Sequence, residues 1–311
     1  METNSSDMFS TYFFLVGFSD YAHHRAILFL VFLSTYILSL VGNCLLLSLT
    51  VSSPQLHLPM YFFLSNLSFV DLCLTSVVVP RLLGTLFNKN AISFMECIAQ
   101  AYFFIAFAGV ECFILTIMAY DRYVAVCQPL HYVTIMNRRM CLLLALASWT
   151  INFINSVLHT FLISKLSFCG PRLIQHFFCD LIPLFKLSCS DTSVNELVIF
   201  TEGFLVVAAP FLVTAISYFH IIWTILKIPS TSGMKTAFST CSSHLVVVTL
   251  FYGTMICVYF RPSWAYSLNH DKFASVLYTV FTPMLNPFIY SLRNKAVRKA
   301  FKKLIVSKNV Q

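Results

Sequence analysis

Charge is what this sequence has least of. Asp, Glu, Lys and Arg make up 10% of its 311 residues, against 58% hydrophobic, at a mean hydropathy of +0.80. Four stretches, 26–53, 140–164, 236–260 and 273–292, contain none of those four types. A water-soluble domain of this length needs far more charge. Soluble enzymes are thereby excluded, and lipid becomes the solvent for much of the chain. Residues 1–25 have neither a basic start nor a cleavable apolar core, so the first apolar run is expected to act as an uncleaved signal. Two further absences narrow the function. No nucleophile or metal constellation converges, which argues against a membrane enzyme. The two halves show no internal similarity with broken helices at matching positions, which argues against the main alternative, a seven-helix transporter or channel.

What is present is a series of apolar runs. A bilayer-crossing helix needs roughly 20 mostly apolar residues. Seven segments qualify, about 26–52, 58–84, 97–127, 140–164, 196–226, 235–260 and 272–292. Lipid offers no partners for open strand edges, so these are expected to be helices. The predicted fold is an all-α membrane protein: a seven-transmembrane helix bundle over 26–292, preceded by a polar tail, 1–25, and followed by a short amphipathic helix and tail, 293–311. In that last segment Val297, Phe301 and Leu304 recur at helical spacing among Lys295, Arg298, Lys299, Lys302 and Lys303. Such a basic amphipathic helix lies along membrane lipid. A basic run that directly follows a span is a poor match for nucleic acid. No cysteine follows Cys257, so no palmitoyl anchor is expected there.

With the N-terminus outside, twelve basic residues fall inside and eight outside, a bias resting on the seven after residue 292. The sequon Asn4-Ser5-Ser6 agrees with that orientation and marks Asn4 for glycosylation. A second sequon, Asn66-Leu67-Ser68, falls inside a span, out of reach. Seven of the 11 cysteines lie in or beside spans and read as small apolar residues. The other four, Cys97, Cys169, Cys179 and Cys189, fall on the outer, oxidising side. Four cysteines allow three connectivities, and spacing does not choose among them. The stretch His176-Phe177-Phe178-Cys179-Asp180 offers metal ligands, but a disulfide would consume its thiolate, so no metal site is expected.

Ionisable residues inside spans mark function by default. Asp71 and Glu111 both sit near the middle of their spans. Two carboxylates facing one interior repel unless a cation or proton lies between them. A sodium ion near the pair is one reading, and a neutral, hydrogen-bonded Glu111 is the other. Asp121 and Arg122 come about three turns after Glu111, at the inner end. They read either as a snorkelling anchor pair or as a two-state element, with the arginine held by Asp121 and released to an incoming partner.

The stretch around them, "MAYDRYVAVCQPLHY" at 118–132, carries a resemblance. With Gly42-Asn43, "LHLPMYFFLSNLSFVD" at 56–71, "HFFCDLIPLFKLSCSD" at 176–191, "SY" at 217–218, "KTAFSTCSSH" at 235–244 and "PMLNPFIYSLRN" at 283–294, the chain resembles a rhodopsin-like G-protein-coupled receptor. More narrowly, it resembles an olfactory (odorant) receptor. The motifs are long, ordered and spread over nearly the whole chain. The resemblance implies an extracellular N-terminus, a plasma-membrane location in olfactory cilia, and disulfides Cys97–Cys179 and Cys169–Cys189. It implies a small odorant as ligand, and as partner a heterotrimeric G protein of the olfactory stimulatory type that raises cyclic AMP through adenylyl cyclase. It also implies that Arg122 is freed when the inner helix ends part. The segment "PSTSGMKTAFS" at 229–239 has no acid to clamp that arginine. Asp121, Tyr218 and His244 are the expected substitutes, with Tyr123 beside them. Asn286, Pro287 and Tyr290 form a companion switch, with Pro287 as the bending point. The short third inner loop leaves recognition of the G protein to helix ends and to His131, Tyr132, Arg138 and Arg139.

Pockets of such receptors lie among the outer halves of spans three, five, six and seven. Helical spacing then names the walls. They are Phe104, Ile105, Ala108 and Gly109 on the third, and Ile199, Glu202, Gly203, Val206 and Val207 on the fifth. The sixth offers Tyr252, Met255, Ile256 and Tyr259, and the seventh Val276, Thr279 and Val280. The set is mostly apolar, as a volatile hydrophobic ligand requires. Glu202 departs from the apolar residue usual there. It is expected either to meet a ligand donor or to reach Lys186 or loop backbone.

Overall fold

The computed structural model describes residues 12–18, 23–259, 268–293 and 295–308. Among these, seven helical runs form a bundle. We label them α1 (Arg25–Ser52), α2 (Pro59–Leu86), α3 (Phe94–Cys127), α4 (Arg138–Ser164), α5 (Ser193–Leu226), α6 (Thr231–Tyr259) and α7 (268–293). An eighth helix, α8 (Lys295–Lys308), follows. The first five are each long and apolar enough to cross a membrane, and α6 qualifies as a pair of segments that bends by 42°. The outward faces are apolar too: Leu30, Val41, Leu146, Ile154, Leu205 and Phe219 are all more than half exposed. That pattern suits lipid and would aggregate in water.

Local chemistry sets the helix starts. Ser93 opens α3 with a reciprocal cap: its Oγ accepts from Glu96 N at 3.2 Å, while its own N donates to Glu96 Oε2 at 2.9 Å. Asn137 Oδ1 caps α4 by accepting from Met140 N at 2.9 Å. Pro59 occupies the first position of α2, where a missing N–H costs nothing. The helix α3 is central, packing on α2, α4 and α5, while α1 packs on α2 and α7.

Two prolines free carbonyls inside the bundle, and each carbonyl finds a partner on another helix. Pro210 cannot donate to Val206 O, which instead accepts from Cys112 Sγ at 3.1 Å; α5 makes a π turn there, Phe204–Ala208. Pro287 cannot donate to Pro283 O, which accepts from Asn43 Nδ2 at 3.0 Å. Gly42 permits that approach of α1 to α7, since a Cβ there would lie 2.9 Å from Pro287 Cγ.

The N-terminal segment is not wholly a tail. Strand β1 (Tyr12–Leu15) lies between β2 (Ala91–Ser93) and β3 (Leu173–Ile174), antiparallel to β2 and parallel to β3. Phe13, Leu15, Ile92 and Ile174 are buried beneath this sheet with Cys97, Ile163 and Cys179. The sheet sits at the end of the bundle that holds both disulfides, Cys97–Cys179 and Cys169–Cys189. Asn4 lies outside the described residues. Asn66 is engaged between helices, accepting from Trp149 Nε1 at 3.1 Å.

Candidate functional site

The long segment between α4 and α5 folds over the bundle because several bonds tie it down. Besides the Cys97–Cys179 bridge, Cys179 N donates to Gln100 Oε1 at 3.0 Å. His176 Nε2 lies 3.3 Å from Ser275 Oγ on α7. Phe177 packs on Phe18 from the N-terminal segment, and Phe178 packs on Phe104 with ring centroids 4.6 Å apart. Burial and the nearby Lys272 push the His176 imidazole down to about 3, so it stays neutral under this lid.

Beneath the lid lies a cavity of about 820 Å³. From α3 it is lined by Phe104, Ile105, Ala108, Gly109 and Cys112; from α5 by Glu196, Ile199, Phe200, Glu202, Gly203, Val206 and Val207. Met255 on α6 and Tyr278 on α7 close the far side. Spacing on α3 and α5 thus points to the same residues. Several other positions differ. Ile256 is 43% exposed on the outer face, because Met255 takes the inward direction and the next residue turns away. Tyr252 lies just below the cavity, with its OH 3.3 Å from Cys112 Sγ and 3.1 Å from Thr116 Oγ1. Val276, Thr279 and Val280 are buried against other helices, and Tyr278 faces the cavity instead. A π turn at Leu277–Phe281 shifts that register. The Tyr259 side chain lies outside the described residues.

Sequence reasoning missed two sources of wall. The lid contributes Asp180, Leu181, Ile182, Phe185 and Lys186, and α4 contributes Asn155 and His159. Gly109 lets α4 come close, since a Cβ there would lie 2.0 Å from Asn152 Oδ1. Glu202 pairs with α4: its Oε2 is 2.5 Å from His159 Nε2. A signal was available in the polar positions Ser148, Asn152, Ser156 and His159, which recur at helical spacing along α4 and are all buried.

Below the cavity, Asp71 and Glu111 are fully buried at the centre of the bundle. Asp71 Oδ2 accepts from Asn286 Nδ2 at 2.9 Å. Asp71 Oδ1, both Glu111 carboxylate oxygens and the Oδ1 atoms of Asn43 and Asn286 are buried without a hydrogen-bond partner. An oxygen-rich set of this kind fits a hard cation. Among the described residues no three His, Cys, Asp or Glu side chains cluster as a metal site, and Cys179 is consumed by its bridge.

At the opposite end Asp121 does not hold Arg122. Asp121 Oδ1 accepts from Tyr132 OH at 2.8 Å, and no ion pair within 4.0 Å joins it to Arg122 among the described residues. Adjacent residues on a helix point about 100° apart, which favours the loop tyrosine as partner. Burial and the Asp121 charge raise the Tyr132 phenol above its ordinary range, so it remains a donor. Arg122 is buried, with Nε unpartnered. Tyr218 OH and His244 Nδ1 are 2.7 Å apart, linking α5 to α6. Tyr123 lies beside His220 with ring centroids 5.8 Å apart and the rings tilted by 57°, and Tyr290 is fully buried with its OH unpartnered.

A family model described as olfactory receptor matches residues 32–308. The chain belongs to the olfactory receptor family. Among its relatives, human olfactory receptor 1L6 is 49% identical over 98% of this chain and 88% of its own length. Olfactory receptor 1L4, also human, is 50% identical over 98% of both chains. Gorilla olfactory receptor 1G1 is 51% identical over 94% of both. The olfactory receptor chain is therefore a membrane receptor and not an enzyme. Its cavity lies at the end of the bundle carrying the disulfides, and its Arg122 cluster at the other. The Cys112–Tyr252–Thr116 contacts lie between the two, where α3, α5 and α6 meet.

Proposed function

We propose that the receptor binds a small, mostly hydrophobic volatile ligand in the cavity under the lid and activates a heterotrimeric stimulatory (olfactory) G protein, raising cyclic AMP. The observation that carries the reading is the lidded, largely apolar cavity of about 820 Å³, a size suited to a small molecule. Filling it presses on Val206 and Cys112, which touch each other, and Cys112 in turn touches Tyr252 of α6. A displaced Tyr252 tilts α6. The cost of parting its far end is the Tyr218–His244 bond, and the gain is access to Arg122, which no acid clamps among the described residues. The basic helix α8 rests on the inner leaflet and orients the opening. In this reading the N-terminus is extracellular, and the receptor lies in the plasma membrane of olfactory cilia.

A sodium ion would be held by Asp71 and Glu111, with Asn43 and Asn286 beside them, and would supply the positive charge that lets both carboxylates stay ionised. These side chains join α1, α2, α3 and α7, so their repulsion or cohesion sets how tightly those helices hold together.

The test is a broad odorant screen in cells expressing the receptor with its G protein, read as cyclic AMP beside ion flux. Ligand-dependent cyclic AMP without flux supports the reading. Flux without cyclic AMP would favour a channel or transporter.

A further inference from the structure

The cavity wall carries a carboxylate–imidazole contact that a purely apolar ligand does not need. Glu202 on α5 and His159 on α4 both line the cavity, their side chains 18% and 7% exposed. His159 Nε2 lies against Oε2, which is buried without a well-formed hydrogen bond, and none to Oε1 is found among the described residues. A carboxylate accepts several hydrogen bonds, so His159 leaves capacity for a donor arriving from the cavity. Leaving that capacity unused in apolar surroundings is unfavourable. The rest of the charge weighs the same way. Asp180 and Glu196 also line the cavity, against a single ammonium, Lys186. Asp180 Oδ1 accepts from Leu181 N and Glu196 Oε1 from Thr192 Oγ1, each at 2.8 Å. Those acids serve helix starts, and Glu202 is the carboxylate set against the apolar wall of Ile199 and Val206.

We propose that the cavity takes an apolar amine, whose ammonium donates to Glu202 while His159 keeps the other oxygen. The hydrocarbon part lies against Phe104, Ile199 and Val206. A carboxylic acid of the same skeleton meets like charge, and a hydrocarbon leaves Glu202 unsatisfied. This assignment rests on the cavity being the receptor's ligand site.

The experiment uses the purified full-length chain in lipid nanodiscs, with thermal stabilisation as the binding readout. The probes are octylamine, cyclohexylmethylamine and benzylamine, each beside the alcohol, acid and hydrocarbon of the same skeleton. At least one amine should stabilise the receptor more than its alcohol, and its acid should not stabilise at all. In Glu202→Gln that amine should bind roughly tenfold to hundredfold more weakly, as expected for losing a charged hydrogen bond. His159→Asn takes the imidazole off Oε2 and should tighten amine binding, since the ammonium then reaches both oxygens. If Glu202→Gln does not fold, judged by its unliganded midpoint, the wild-type ranking and His159→Asn decide. No stabilisation by any amine, an acid that outbinds its amine, or unchanged amine affinity in Glu202→Gln would each overturn the assignment. Cyclic AMP is read separately. Amine binding without signalling overturns the proposed function and leaves this assignment standing.

Discussion

Proline acts in this receptor through the carbonyl it leaves behind. Pro283 O is satisfied from α1 by Asn43 at 3.0 Å, so Asn43→Ala strands a buried acceptor. That should cost about 1–3 kcal/mol, seen as a lower thermal midpoint of the purified chain, and an unchanged midpoint would show that Asn43 is dispensable. His176 gives a residue-level pH effect. Its ring ordinarily titrates at 6.5 but is held down to about 3, first by burial and then by Lys272. The unfolded chain therefore binds more protons between those values, and stability rises with pH across that window. The contribution is complete above 6.5 and is lost as pH falls toward about 3. Thermal midpoints between neutral pH and the lowest pH tolerated should fall more steeply in the native receptor than in His176→Gln. Equal slopes would remove His176 from the lid.

At the scale of elements, the hydrogen bond between Tyr218 and His244 holds α5 and α6 together at 2.7 Å. Replacing His244 by Ala removes a bond worth about 1 kcal/mol and should raise ligand-free cyclic AMP about two- to tenfold at equal surface level. Normal basal signalling and activation would exclude His244 from the switch. The helices themselves were legible in the sequence, because a charge-free run of adequate length has one solution in lipid. Their starts were less so. The helix α6 begins at Thr231, four residues before the expected 235, in a polar stretch where hydropathy carries no signal. The sheet was not legible at all. Tyr12–Leu15 is too short to show alternation, and its partners, Ala91–Ser93 and Leu173–Ile174, are far along the chain. Likewise the partner of Asp121, Tyr132, lies in a loop whose fold spacing does not fix.

At the scale of the whole molecule, the cavity was half legible. Regular spacing works on α3 and α5, while the π turn in α7 breaks it, and the inward residue there became Tyr278. On α4 the polar stripe signalled a wall, but the pairing of His159 with Glu202 arises only from helix packing, which sequence separation does not report. Signalling requires this cavity to drive the distant Arg122 end. Gly203 lines it, and a Cβ there meets nothing within 4 Å, so Gly203→Trp fills the space without displacing a neighbour at its base. The decisive measurement is the rate of nucleotide exchange on a purified stimulatory heterotrimer, catalysed by the receptor in nanodiscs with and without an odorant that activates it in cells. Odorant should accelerate exchange through the native receptor and fail through Gly203→Trp. Equal acceleration by both, or none by the native receptor, would contradict the account.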